Sequence, residues 1–270
     1  MLDLHTHSDC SYDADDPPLA MMEAALARGI GTLGFTEHVD LDRAGVAEGK
    51  APADFTRCKR AVEEFSPEGK GLTVLRGAEV SLEDSGTSAR SRALIEGMEL
   101  DYVIGSVHSV GGVGAYVPQF YSRGGKREVV RCYLEQTAKL LGTCPYFQVL
   151  GHYDFVCKHA PWEDRAVRYR DAPDAFDAIF KHLITHGQAL EVNTSAWREH
   201  PWGLDVLTRY RELGGELLSA GSDAHSAWEL GNRIPEALEL AKGAGFRYIT
   251  RFRAGGQMCI SDRHQAAQRR

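Results

Sequence analysis

The stretch Leu2-Asp3-Leu4-His5-Thr6-His7 constrains this chain more than any other. A short apolar run carries two imidazoles two residues apart. On an extended strand, residues i and i+2 point to the same face. His5 and His7 therefore aim at one place, where a divalent cation could sit between them. Asp223-Ala224-His225 repeats the spacing near the other end of the chain. A fold that unites the two pairs must bring distant strand ends to one mouth. A parallel barrel does this, because every strand C-terminus opens on the same face.

The rest of the chain alternates in the way such a barrel requires. Apolar strand-like runs cover residues 2–5, 32–36, 72–75 with 78–82, 102–107, 147–150, 189–192, 217–220 and, shortest, 246–252. Helical patterns fall between them, at 17–29, 53–65, 87–97, 126–141, 172–186, 203–213 and 227–244. Strands alternating with helices predict a parallel sheet covered by helices. Seven or eight repeats favour a closed barrel over an open sheet. Loops are expected at 40–51, 109–125 and 153–171. No linker divides the chain, so 1–254 reads as one domain. The polar tail 255–270 is expected to be disordered, outside the core.

Bulk properties exclude several classes. A net charge of −7 argues against non-specific nucleic-acid binding, which needs a basic footprint. No apolar run approaches the roughly 20 residues of a membrane span. Asp3, His5 and His7 interrupt the apolar core that a secretory signal would need. The six cysteines (10, 58, 132, 144, 157 and 259) form no Cys-x-x-Cys pair and read as reduced thiols, which fits a cytoplasmic location. The oligomeric state is left open.

Nine candidate ligands emerge: His5, His7, Asp13, His38, Glu79, His108, His152, Asp223 and His225. Eight lie at predicted strand ends and Asp13 on the first loop. A lone histidine after a strand is more often a satisfied core or surface residue than a ligand. The joint pattern is different, since six of the eleven histidines fall where strands end. His182 and His186 have a helical i, i+4 spacing, but no Glu follows His182 as a metalloprotease helix requires, so they read as helix-face residues. A catalytic zinc usually takes three protein ligands and keeps an open position. Nine donors suit two or three divalent ions (Zn, Mn or Fe) that share a carboxylate.

The four clusters, in order, resemble the PHP superfamily (polymerase and histidinol phosphatase). Asp3-Leu4-His5-Thr6-His7 with Asp13 is similar to its first motif and Glu37-His38 to its second. Gly105-Ser106-Val107-His108 is similar to the third and Gly221-Ser222-Asp223-Ala224-His225 to the fourth. Glu79 and His152 take the two remaining ligand positions. The resemblance runs from residue 1 to about 252. Within the superfamily the chain is most similar to the monofunctional histidinol-phosphate phosphatases, through Glu191-Val192-Asn193-Thr194-Ser195 and Gly245-Phe246-Arg247-Tyr248-Ile249-Thr250.

That resemblance implies a distorted (β/α)7 TIM-like barrel, which makes one of the eight candidate strands, the last, surplus. It implies one ion on His5, His7, Glu79 and Asp223, a second on Glu79, His108 and His152, and a third on Asp13, His38 and His225. Glu79, Asp223 and His225 would be catalytic as well as ligating. The implied reaction is hydrolysis of L-histidinol phosphate, in histidine biosynthesis, by in-line attack of a metal-bridging hydroxide on phosphorus. Arg198, Ser222 and Lys158 are the candidate phosphate contacts, with Arg165 a weaker one. Trp162, Trp197, Trp202 and Tyr121 could line a pocket for the imidazole or serve as ordinary core aromatics. Two other readings are a phosphodiesterase or nuclease of the same superfamily and a non-catalytic metal-binding module.

Overall fold

The computed structural model describes residues 1–41, 53–197, 201–253 and 257–262. Seven parallel strands form one sheet in sequence order: β1 (Leu2–Thr6), β2 (Thr32–Val39), β3 (Thr73–Ser81), β4 (Tyr102–Ser106), β5 (Val149–Leu150), β6 (Ala189–Asn193) and β7 (Leu218–Gly221). An isolated parallel bridge between Thr6 and Ala224 joins the first strand to the segment after the last and closes the ring. The strands alternate with α1 (Pro18–Ala27), α2 (Phe55–Phe65), α3 (Ser85–Ile95), α4 (Lys126–Leu140), α5 (Pro173–His186), α6 (Leu204–Glu212) and α7 (Ile234–Gly243). The expected seven-stranded barrel is the observed fold.

Local chemistry sets these elements. All eight residues of β2 are buried, as a parallel strand covered on both faces should be. Proline stands at the start of α1 and of α5, where its fixed φ suits a first turn and no N–H bond is lost. Asp54 and Asp84 cap α2 and α3 by accepting backbone N–H groups of the first turn. Gly187 ends α5 at φ +64, a conformation glycine adopts without steric cost.

The barrel interior is layered along the strand direction. Leu4, Leu75, Tyr102, Ile104, Val149, Ala189 and Phe252 form an apolar layer from the earlier parts of the strands. Tyr102 crosses this layer and donates its hydroxyl to the carbonyl of Leu4 at 2.6 Å. Gly34 makes room for it, since a Cβ there would run into the Tyr102 hydroxyl, and a Cβ at Gly77 would meet the Thr36 methyl and crowd the Tyr102 ring. The polar ligands lie farther along the same strands, at the C-terminal mouth. A larger apolar core packs the outer barrel wall against α4–α7, and a smaller one holds α1 and α2 against β2.

Four expectations need correction. The surplus eighth strand exists, but outside the barrel: β8 (Tyr248–Arg253) pairs antiparallel with β9 (Gln257–Asp262) in a separate ribbon. Phe252 of β8 stacks on Tyr102 at 4.4 Å, so this strand plugs the barrel end opposite the ligands. Part of the tail expected to be disordered is therefore paired at 257–262, where its backbone satisfies the N–H and C=O groups of β8. The long loop at 109–125 contains a tight hairpin (Ser109–Val110 with Val113–Gly114) and a helical turn at Pro118–Tyr121. The helix expected at 227–244 begins only at Ile234. Gly231 and Arg233 have positive φ, and the Gly231 N–H is drawn to the Asp3 carboxylate at 2.8 Å. Most of the expected 40–51 loop, and Arg198, lie outside the described residues.

Candidate metal centre

Barrel closure assembles the centre. The Asp223 N–H donates to the His5 carbonyl and the His7 N–H to the Ala224 carbonyl, each at 2.8 Å. These two bonds set the two i, i+2 pairs side by side. Asp223 sits at φ +54, a left-handed conformation that aspartate tolerates better than most residues. His7 Nε2 lies 3.3 Å and His5 Nε2 3.7 Å from Asp223 Oδ1.

Glu79, on β3, is the centre of the cluster and is fully buried. Its Oε1 lies 2.7 Å from His152 Nε2, 3.3 Å from His108 Nε2 and 3.4 Å from His5 Nε2. Its Oε2 lies 3.0 Å from His38 Nδ1 and 3.6 Å from His7 Nε2. One carboxylate thus faces five imidazoles. Asp13 closes the outer edge, with Oδ1 3.4 Å from His38 Nε2 and 3.8 Å from His225 Nε2. All nine sequence candidates meet at this mouth, where the ligand atoms of His5, His7 and Asp223, of His5, Glu79 and His152, and of His7, His38 and His225 lie close together.

The donors fit cations better than they fit one another. His5 Nε2, both ring nitrogens of His7 and of His38, and Glu79 Oε2 are buried without a hydrogen-bond partner. Each buried polar atom left unpaired costs about 1–3 kcal/mol. Several such atoms aimed at one space form a lone-pair shell for divalent ions. Burial and the nearby His38 and His225 hold the His7 pKa well below its ordinary value, so this imidazole favours the neutral, ligating form. Burial would raise the Glu79 carboxyl, but His5 and His108 outweigh it and hold the group well below the usual range. The same contest at Asp223 is decided by Lys158 and then His5.

A ring of further side chains supports the ligands, with little sign of it in the sequence. Glu191 Oε1 lies 2.8 Å from His5 Nδ1. Asp40 lies 3.3 Å from His108 Nδ1 and 3.6 Å from His38 Nδ1 and accepts from Tyr12 and Ser81. Glu37, beside His38 in the second motif, is not in the mouth. It accepts from Ser8 and Ser11 and pins the turn that leads to Asp13.

The candidate substrate contacts divide. Lys158 reaches the mouth, its Nζ 3.0 Å from Asp223 Oδ2. Ser222 borders the cavity, but its hydroxyl donates to Asp3 at 2.5 Å, which turns the proton away from a ligand. Arg165 braces its own loop by donating to the Trp162 and Lys158 carbonyls. Trp162 packs edge-on to Tyr121, Trp197 is buried, and Trp202 donates to Asp154, so none of these four aromatics borders the cavity. Tyr116 and Phe155 line it instead, with His159, Ser195, Glu229 and Asn232. His182 and His186 lie together on α5, far from the mouth in the fold, as helix-face residues.

The cavity over the ligands holds about 410 Å³, enough for a small phosphorylated molecule. A larger groove of about 1100 Å³ runs between the 163–169 loop and α6, but none of the described histidines lines it. Among the described residues no helix is long and apolar enough to cross a membrane.

Nine converging donors at the C-terminal mouth of a parallel barrel define a barrel protein with a candidate divalent-metal site. The chain belongs to the PHP domain family, which matches residues 3–195. It is 28% identical over 256 residues to the histidinol-phosphatase of Lactococcus lactis, an alignment covering 93% of this chain and 94% of that protein. A probable histidinol-phosphatase of Deinococcus radiodurans is 27% identical over 262 residues, with 93% and 96% covered. The crystal structure of the Lactococcus lactis histidinol phosphate phosphatase, complexed with zinc, L-histidinol and phosphate, superposes with a TM-score of 0.87. It is 26% identical, with 97% of this chain and 98% of that one covered.

Proposed function

We propose that the protein is a metal-dependent phosphomonoesterase that hydrolyses L-histidinol phosphate to L-histidinol and phosphate. The observation that carries this reading is the cluster of His, Asp and Glu side chains gathered beneath a cavity of small-metabolite size. Similarity along nearly the whole length to a phosphatase crystallised with zinc, histidinol and phosphate supports the substrate.

Two or three divalent ions, zinc foremost, would be held as follows: one by His5, His7, Glu79 and Asp223, one by Glu79, His108 and His152, and one by Asp13, His38 and His225. Bound there, such ions lower the pKa of a coordinated water and neutralise phosphate oxygens. The protein's own residues do the rest. Glu79 offers each of its oxygens to a different group of histidines, which suits a bridging role. Asp223 orients His5 and His7 and holds Lys158 at the mouth. The Lys158 ammonium is placed to bind a phosphate oxygen and to offset the charge that develops during in-line displacement. Tyr116 and Phe155 give the cavity apolar surface against which an imidazole can pack. Arg198 is a further candidate phosphate contact.

The test is a phosphate-release assay on protein reconstituted with Zn²⁺ or Mn²⁺. Histidinol phosphate should be cleaved far faster than a generic phosphomonoester such as p-nitrophenyl phosphate. Equal kcat/KM values for the two would overturn the substrate assignment. Degradation of a single-stranded oligonucleotide would favour a nuclease instead.

A further inference from the structure

Strand β6 supplies none of the nine candidate ligands, yet its C-terminal end is wired to three of them. Glu191 and Asn193 lie two apart on β6, so their side chains share a face, and Ser195 follows in the turn after the strand. Glu191 is buried against the cluster. Its Oε1 lies 2.8 Å from His5 Nδ1, and its Oε2 accepts the backbone N–H of His152 at 2.8 Å. Oε2 also accepts the Asn193 side-chain amide at 3.1 Å. Asn193 Oδ1 in turn accepts the Ser195 N–H at 3.0 Å. The Ser195 hydroxyl lies 3.0 Å from Asp223 Oδ2. A continuous polar rail therefore runs from His5 and His152 to Asp223.

We propose that Glu191 is a positioning residue that fixes the His5 tautomer and the placement of His152, and so sets the affinity of the centre for its ions. The inference rests on the metal-centre reading above. An imidazole has one proton to place when neutral. With Nδ1 donating to Glu191, Nε2 keeps its lone pair, and Nε2 is the atom that faces Glu79 and Asp223. Without that partner the two tautomers come closer in energy, and the wrong one puts N–H where a lone pair is needed. A carboxylate on the far nitrogen of a ligating histidine also makes it a stronger base, and losing such a partner typically costs about 10–100-fold in metal affinity.

The geometry makes glutamine a demanding probe. Oε2 accepts two donors, from His152 and Asn193, while Oε1 faces His5. An amide of the same shape can keep only one of these ends as an acceptor. Its NH₂ must confront either the His5 ring or the two donors. Glu191→Gln therefore keeps the volume and breaks the wiring. Glu191→Asp keeps the charge and the acceptors on a shorter stem.

The experiment measures zinc affinity by competition with a chromophoric chelator, the ion count by elemental analysis, and the visible spectrum of the Co²⁺-substituted protein. Glu191→Gln should bind at least one ion about 10–100-fold more weakly and shift the Co²⁺ bands, and Glu191→Asp should recover part of the affinity. The metal-free glutamine variant should still fold, with a Tm lowered by its broken hydrogen bonds, so zinc affinity is compared at a temperature well below both midpoints. Wild-type affinity, ion count and Co²⁺ spectrum in Glu191→Gln would overturn the proposal. A wild-type protein that binds no ions would instead overturn the metal-centre reading. Should Glu191→Gln not fold, histidine nitrogen shifts of the zinc-loaded wild type decide the matter. His5 should show a protonated Nδ1 and a metal-bound Nε2, and the reverse assignment overturns the proposal.

Discussion

The Asp223 N–H donates to the His5 carbonyl at 2.8 Å, so the two ends of the barrel domain are joined by the residues that line its mouth. Fold closure and site assembly are one event. Gly221 stands where this seam is tightest. A Cβ there would clash with His5 Cβ and approach Glu191 Oε1 to 2.6 Å. Gly221→Ala should therefore destabilise the fold by about 1–3 kcal/mol, the usual range for overpacking a filled interior. It should weaken zinc binding at the same time. Thermal denaturation with and without zinc checks both effects, and a variant with wild-type Tm and wild-type zinc affinity would refute the seam argument.

His7 is buried and faces both Glu79 Oε2 and Asp223 Oδ1. Its neutral, unpaired ring serves a cation better than it serves the apo fold. His7→Ala should lose one ion by elemental analysis and at least about 100-fold in kcat, since a metal's charge stabilisation is worth several kcal/mol. Far-UV circular dichroism should be unchanged, because the barrel closes through the His7 backbone and not its side chain. Full activity in this variant would remove the first pair from the centre.

Much of this was legible in the sequence, because strand ends carry their own chemistry. The eight candidates assigned to strand ends all lie at the mouth, since a parallel barrel converts end-of-strand position into convergence, whereas Glu37, beside His38, turns to Ser8 and Ser11. Glu191 stood out only as part of a family-like segment, and its contact with His5 was not legible because it lies inside β6, where a single buried acid looks like any polar interruption. Asp40 was hidden in a charged loop. Helix length at 227–244 was overestimated because composition favours a helix there, while the pull of Asp3 on Gly231 is a tertiary effect. The β9 pairing was missed because ribbon partners are chosen by space and not by local pattern. The Ser222 role was misjudged because its partner, Asp3, is remote in sequence.

Metal removal should be visible in stability as well as in rate. Without cations, the centre gathers Glu79 and Asp223 with unpaired ring nitrogens in a buried space. Ions that bind only the folded state stabilise it by mass action, about 4 kcal/mol when free metal is near 1,000 times Kd. Treatment with a strong chelator should abolish activity and lower Tm by several degrees, and zinc should restore both. Activity that survives complete demetallation, verified by elemental analysis, would exclude a metal-dependent reaction.

Lys158 is the described cation best placed for substrate, with Nζ 3.0 Å from Asp223 Oδ2 at the cavity wall. A charge-assisted hydrogen bond is worth about 1.5–3 kcal/mol, or roughly 10–150-fold. Lys158→Met keeps much of the apolar stem and removes the ammonium. It should lower kcat/KM for histidinol phosphate by about that factor. Most of the loss should appear in KM, because the ammonium can contact a phosphate oxygen before and during the reaction alike. Inhibition by inorganic phosphate should weaken in parallel, which separates loss of a phosphate contact from a disturbed Asp223. Were phosphate inhibition to stay at the wild-type level while kcat alone fell, Lys158 would act through Asp223 and the centre, not on the substrate.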